Sequence, residues 1–120
     1  MPGRPFDLGQ RTTEFAAAVM RFTKTLPRTI ENIECRKQLV RSAGSVGANY
    51  VEASEALGGK DFLMHIRISR KEAKESAYWL GLLSTVGPQM DQQRAALAKE
   101  AGELASIFGA IITRSGSRST

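Results

Sequence analysis

Residues 38–80 read QLVRSAGSVGANYVEASEALGGKDFLMHIRISRKEAKESAYWL, and this stretch decides the fold. Apolar and small residues recur along it at alternating steps of four and three, and the rhythm breaks once, at Gly58-Gly59. A spacing that averages about 3.5 residues keeps one side of a helix against a neighbouring helix over its whole length. The stretch therefore predicts two long helices, and the short turn between them makes them antiparallel neighbours.

Gly44 and Gly47 lie inside the first of these two helices. Each interior glycine costs a helix about 1 kcal/mol relative to alanine, but the apolar stripe passes both without losing phase. We therefore predict a continuous helix whose small residues allow close approach of a neighbour. A phosphate-binding glycine loop would need a preceding strand, and the sequence pattern shows none. The predicted core residues of the two helices are Leu39, Ala43, Val46, Tyr50, Ala53 and Leu57, then Phe62, Ile66, Ser69, Ala73, Ala77 and Leu80.

The same rhythm continues on both sides of this central stretch. A first segment follows Asp7, a favourable N-cap residue, and stops at Pro27, and a fourth segment follows Gly87-Pro88. Their predicted core residues are Leu8, Thr12, Phe15, Val19, Phe22 and Leu26, then Met90, Arg94, Leu97, Ala101, Leu104, Phe108 and Ile111.

Four such segments with short connections and no β-type alternation predict an all-α protein, an up-down-up-down antiparallel four-helix bundle. A chain of 120 residues has room for one domain. We expect this domain to occupy residues 1–113 and the last residues, 114–120, to form a disordered tail. The predicted helices span about residues 7–26, 31–57, 61–86 and 89–113.

The composition is that of a basic, water-soluble chain. Hydrophobic residues make up 42% of it, and no apolar run approaches the roughly 20 residues that cross a bilayer. The first ten residues lack the apolar core of a signal peptide, and the single Cys35 cannot form an internal disulfide, so we expect a cytoplasmic protein. The net charge of +5 suits nucleic acid or another anionic surface without specifying which.

The second and third predicted helices each have a regularly spaced strip of residues on the side away from the predicted core. One strip on the second helix is Arg41, Ser45, Asn49 and Glu52, and one on the third helix is Ile68, Glu72, Glu75, Trp79 and Leu82. One interpretation leaves both strips exposed to solvent. The other has them meet each other or a second subunit, with Arg41 or Lys71 opposite the glutamates, and it predicts a homo-oligomer.

Between its two sides the third helix has a basic flank at positions i, i+3, i+4 and i+7, formed by Arg67, Arg70, Lys71 and Lys74. These side chains can reach a phosphate backbone, and Arg36 and Lys37 on the second helix could extend the patch. The competing interpretation pairs Lys71 and Lys74 with Glu75 and Glu72 or leaves them solvated. Tyr78 could stack on a base, although aromatic residues on helices are more often packed.

A carboxylate metal site is the remaining alternative, because Glu72 and Glu75 are spaced as a Glu-x-x-Glu pair and Asn49, Glu52 and Glu55 offer further oxygens. Dimetal carboxylate bundles use a Glu-x-x-His pair from each of two helices. His65 is the single histidine, and no glutamate precedes it by three positions. We therefore expect no metal, no cofactor and no catalytic residues.

Taken together, these residues resemble a family of bacterial four-helix-bundle proteins encoded in intervening sequences of 23S ribosomal RNA genes, with relatives that accompany diversity-generating retroelements. The resemblance covers nearly the whole chain. The chain departs from the family pattern at Gly58-Gly59-Lys60, where a Ser-Lys-Lys-like segment is commoner in the family. The matching motifs are Asp7-Leu8 with Phe15, Leu26-Pro27, Gln38-Leu39-x-Arg41-Ser42, Ser45-Val46-Gly47-Ala48-Asn49-Tyr50-x-Glu52-Ala53, Asp61-Phe62 and Lys71-Glu72-Ala73-x-Glu75-x-x-Tyr78-Trp79-Leu80.

The resemblance implies a bundle that assembles as a ring-like homopentamer and has no established enzymatic activity. Relatives in the retroelement branch resemble basic scaffolds that bind nucleic acid and a reverse transcriptase. The leading hypothesis is therefore a non-enzymatic oligomeric bundle that binds RNA or DNA phosphates. The alternative is an assembly scaffold that recruits an acidic protein partner, such as a reverse transcriptase or another polymerase.

Overall fold

The computed structural model describes residues 7–119, with side chains to residue 116. Within that range the chain forms four helices and no strand. Short connections join the helices, and each runs antiparallel to the one before it, which confirms the predicted up-down-up-down four-helix bundle. The helices are α1 Leu8–Thr23, α2 Ile30–Ser54, α3 Gly59–Leu82 and α4 Gly87–Ser119.

The starts of α1 and α2 follow from side-chain capping. The Asp7 side chain accepts a hydrogen bond from the Gln10 amide at 3.1 Å, and the Thr29 hydroxyl accepts one from the Asn32 amide at 3.1 Å. Each cap satisfies an amide that has no partner inside its own helix. Gly87 begins α4 with φ of 83°, a left-handed conformation that favours glycine.

The predicted helix ends need correction. The first three helices end three or four residues earlier than predicted, because apolar residues continue past each end into the turn. Leu26 is buried although it follows α1, whereas Leu57, predicted as a core residue, is fully exposed beyond the end of α2. The fourth helix continues to Ser119, where the sequence predicts a disordered tail from residue 114, and Thr120 lies outside the described residues.

The apolar stripes of all four helices meet in one core. Its fully buried large side chains are Val19, Leu39, Val46, Ile66, Leu80, Leu104 and Phe108, all of them predicted from the spacing. The helices surround this core in chain order, and α2 and α3 pack together most extensively. The core thus fixes which sides of α2 and α3 remain available for other contacts.

Serines line the seam between α2 and α3. The hydroxyls of Ser42 and Ser76 are 2.9 Å apart, and Ser76 also donates to the Glu72 carbonyl at 2.9 Å. Ser69 donates to the Val46 carbonyl across the seam at 2.8 Å. Serine is small enough for close helix approach, and these bonds satisfy each buried hydroxyl. They also set the antiparallel register of the two helices.

Asn32 ties two turns together at one end of the bundle. Its side chain is only 2% exposed, and its amide nitrogen donates to the carbonyls of Pro27 and Ser84 at 3.0 and 2.9 Å. Its amide oxygen accepts from the Ser84 backbone amide at 2.9 Å. A buried amide with this many partners holds the α1–α2 connection against the α3–α4 connection.

Arg11 connects α1 to α4, the neighbouring pair with the least extensive packing. Its guanidinium donates to both oxygens of Glu100 at 2.7 and 2.8 Å and to Glu103 at 2.7 Å. The hydrogen bond to Glu100 raises the pKa of the Arg11 guanidinium above its ordinary value. This bidentate, charge-assisted contact compensates for the thinner contact between the two helices.

Gly47 marks the closest approach of α2 to α1. A Cβ atom at this position would lie 3.0 Å from the Thr12 Oγ1 atom and 3.2 Å from the Thr12 Cβ atom. Thr12 is buried, and its hydroxyl is held by the Leu8 carbonyl at 2.7 Å, so it has little freedom to move away. At Gly102 in α4, by contrast, a Cβ atom would have no neighbouring atom within 4 Å among the described residues.

We expect Gly47→Ala to lower the free energy of unfolding by about 1 kcal/mol, because overpacking against Thr12 exceeds the gain in helix propensity. The matched change Gly102→Ala should raise it by up to about 1 kcal/mol, since only the propensity term applies there. Urea denaturation followed by circular dichroism measures both changes. Equal stabilisation by the two alanines would contradict a tight contact at Gly47.

Candidate nucleic-acid interface

Four exposed basic residues in the middle of α3 form one surface, which we call the basic face: Arg67, Arg70, Lys71 and Lys74. At about 100° per residue they fall within an arc of roughly 100° around the helix. Among the described residues, no carboxylate lies within ion-pair distance of any of the four. Their charges are therefore not compensated locally.

Glu72 and Glu75 of α3 form ion pairs on the side of the helix that faces α2. Arg41 of α2 reaches across the seam, with Nη1 3.3 Å from Glu72 Oε2 and Nη2 3.6 Å from Glu75 Oε1. The Glu72 side chain is only 8% exposed, and Arg41 is its ion-pair partner. The alternative pairing of Lys71 and Lys74 with these glutamates is not the one that the structure shows.

A groove of about 390 Å³ runs along the basic face where α3 meets α4. Arg70 and Lys74 stand at its edge, and its floor contains small residues. A Cβ atom at Gly109 would lie 3.6 Å from the Arg70 Nε atom, so the arginine side chain extends over a part of α4 that has no side chain. The small residues of the lining are Ala77, Gly102, Ala105, Ser106 and Gly109.

Tyr78 lies on the same side of α3 as the basic face. It is one helical turn beyond Lys74, and its angular position falls between those of Arg67 and Lys71. Its side chain is 59% exposed. The ring lies edge-on against Trp79, with the two centroids 5.0 Å apart and an interplanar angle of 74°. An exposed aromatic ring thus continues the line of cations.

The sequence predicts that Arg36 and Lys37 extend the basic face, but the structure does not bring them to it. The Ser42–Ser76 and Asn32–Ser84 contacts fix a register that places residues 36 and 37 beside the last turn of α3. That turn is about 10 Å along the axis from Lys74. Lys37 also pairs with Glu34 of its own helix at 3.2 Å.

Two further residues of the polar strip on α2, Ser45 and Asn49, also form contacts within the chain. The Asn49 amide nitrogen donates to the Ser45 carbonyl and hydroxyl, both at 3.0 Å, which leaves its oxygen to accept from His65 Nδ1 at 3.0 Å. His65 Nε2 lies 3.6 Å from Asp61 Oδ1. Sequence reasoning missed His65 as a partner, although it lies on the same side of α3 as Glu72, seven positions earlier. Glu52 is exposed.

Trp79 is partly buried against the core, and Ile68 is partly buried on the same side of α3 about three turns earlier. The indole Nε1 atom of Trp79 is buried and finds no hydrogen-bond acceptor among the described residues. Leu82, the last member of this strip, is 49% exposed. This end of α3 therefore has apolar surface and an unused donor.

The described residues contain no group of three or more His, Cys, Asp and Glu side chains placed to hold a metal ion. Glu72 and Glu75, the pair considered as ligands, instead face the Arg41 guanidinium. No helix in the described part of the chain is long and apolar enough to span a membrane.

The fold and the basic face define a class: four-helix bundles with positive charge concentrated along one helix. Residues 4–110 match the 23S rRNA-intervening sequence protein family, and the chain belongs to that family. A similar solved structure is a protein of unknown function from the S23 ribosomal protein family of Bacteroides thetaiotaomicron. It is 30% identical, with a TM-score of 0.75 over 87% of this chain and 96% of that one. No curated protein matches significantly.

Removing the Arg41 guanidinium should leave the carboxylate of Glu72 without its partner in a nearly buried position. We expect Arg41→Met to lower the free energy of unfolding by about 1 to 3 kcal/mol. Lys37→Met is the matched control, because its ion pair with Glu34 is exposed on both sides and should be worth less than about 1 kcal/mol. Urea denaturation of both variants makes the comparison, and equal losses would contradict the structural importance of Arg41.

Proposed function

We propose that the protein is a non-enzymatic, homo-oligomeric bundle that binds RNA or DNA through the phosphate backbone. The observation that supports this most directly is the basic face, four exposed cations on one helix with no carboxylate partner in the described part of the chain. Membership of the intervening-sequence family is compatible with a role close to RNA, but the proposal depends on the charge arrangement.

The distribution of charge on α3 favours binding of an anion from outside the subunit. Arg41 pairs with both Glu72 and Glu75 on the α2 side of the helix, and the four cations of the basic face form no ion pair with either glutamate. Uncompensated cations along one surface attract a polyanion and release its counterions. Contacts to phosphates carry no direct sequence information, so this mode of binding predicts little sequence preference.

Reversing two of the four charges provides the test. We expect Arg70→Glu combined with Lys74→Glu to weaken binding of a fluorescently labelled RNA or DNA by about tenfold or more, because two phosphate contacts become repulsive. The plot of log affinity against log salt concentration should also become less steep by roughly two. Fluorescence anisotropy at several salt concentrations measures both quantities.

Lys24→Glu combined with Arg28→Glu is the control, because it makes the same change in net charge at the exposed α1–α2 connection. It should weaken binding much less than the change on α3. Equal weakening by both pairs would indicate that only net charge matters, and undiminished binding of the α3 variant would reject the assignment.

The oligomeric part of the proposal has a different basis, an apolar groove of about 360 Å³ between α1 and α2. Met20 and Val51 belong to its lining and are 45% and 58% exposed. No charged side chain lines it among the described residues, so it suits apolar burial better than an anion. Its lining consists of Gly9, Thr12, Thr13, Ala16, Ala17, Met20, Gly44, Gly47, Ala48 and Val51.

We propose that a second copy of the chain occupies this groove. The outer edge of α3 supplies a convex counterpart, since Met64 and Leu82 are about half exposed and share one side of that helix with Ile68. A groove on one copy that receives a different surface of the next forms a ring when the rotation closes. This arrangement is compatible with the homopentamer that the family resemblance implies.

A charge placed in the groove should disrupt this contact. We expect Val51→Glu to shift the protein to monomer, because a carboxylate would have to be desolvated in an apolar interface. Val86→Glu is the control, a similarly exposed valine in the α3–α4 connection that should leave the oligomer unchanged. Size-exclusion chromatography with light scattering reports the mass. A monomeric unmodified chain at micromolar concentration would reject the oligomer.

A further inference from the structure

We infer that the preferred ligand of the basic face is single-stranded nucleic acid, with an unpaired base stacked on Tyr78. This inference rests on the proposed function and specifies the form of the ligand. It depends on three features that occur together on one side of α3: the exposed Tyr78 ring, the cations in line with it, and the groove beside Arg70 and Lys74.

The exposure of Tyr78 is unusual for an aromatic residue on a helix that contributes to the core. Its neighbours Ala77 and Leu80 turn toward the interior, whereas the tyrosine ring is 59% exposed. Folding therefore does not bury most of the apolar surface of the ring. A flat, exposed aromatic surface beside cations is the arrangement that single-strand binding proteins use to stack bases.

The ring is also oriented before any ligand arrives. Trp79 contacts it edge-on at a centroid distance of 5.0 Å, and Trp79 itself packs against the core. The T-shaped contact restricts the tyrosine ring while leaving a face of it available. A restricted ring loses less conformational freedom on stacking than a mobile one.

The groove gives the backbone of a strand a route along α3. From Arg67 to Tyr78 the helix is about 17 Å long, enough for roughly five stacked nucleotides. Phosphates can approach Arg70 and Lys74 closely because Gly102 presents no side chain on the opposite wall. A duplex has its bases paired and stacked, so it can use the cations but not the tyrosine ring.

The test compares one labelled strand of mixed sequence with the same strand annealed to its complement, using fluorescence anisotropy at one salt concentration. The unmodified protein should bind the single strand more tightly. Tyr78→Ala should weaken single-strand binding by about 5- to 100-fold and change duplex binding little, because only the stacked base is lost. Tyr78→Phe should retain single-strand binding.

Val86→Ala controls for loss of exposed apolar surface, since Val86 is 67% exposed in the α3–α4 connection and lies outside the proposed subunit contact. It should change neither affinity. Trp79 is the single tryptophan and touches the Tyr78 ring, so its fluorescence should change when the single strand binds the unmodified protein. Circular dichroism shows whether each variant remains helical.

The outcomes separate this inference from the proposed function. Equal affinity for both forms, or equal losses on both in Tyr78→Ala, would overturn the stacking contact while phosphate binding would stand. Failure of the unmodified protein to bind either form would reject the proposed function, and the inference with it.

Discussion

The close contact between α2 and α3 is the constraint on which the rest of this structure depends. Ser42, Ser69 and Ser76 allow the two helices to approach, and each satisfies its hydroxyl at or across the seam. At that separation Arg41 can span the seam to Glu72. A larger residue at any of the serine positions would move the helices apart and separate the arginine from a nearly buried carboxylate.

The Arg41 contact also determines how charge is distributed on α3. Without it, Glu75 would be the nearest anion available to Lys71, four residues earlier on the same helix. With it, Glu72 is nearly buried at the seam, Glu75 pairs with the same arginine, and the basic side has no ion-pair partner among the described residues. The same ion pair therefore serves stability and leaves a surface that can bind an anion.

The apolar rhythm is sufficient to predict the helices and core, because residues such as Leu39 and Phe108 need only face inward on a straight helix. It fails at Leu57, since a repeat of apolar residues does not show where a helix stops. It also cannot identify Asn32 or Arg11 as structural residues. Their partners lie 52 and 89 positions away, and such pairs depend on the register and rotation of whole helices.

The candidate site is predicted unevenly for the same physical reason. The four cations of the basic face share one side of a single helix, so periodicity alone groups them correctly. Arg36 and Lys37 belong to another helix, and only the antiparallel register shows that they lie beside the end of α3 rather than its middle. Whether Tyr78 is packed or exposed is decided by the position of α4, which no local pattern encodes. Helix α3 packs into the core on one side, contacts Arg41 on a second and is exposed on a third. Each of its residues can contribute to only one of these sides.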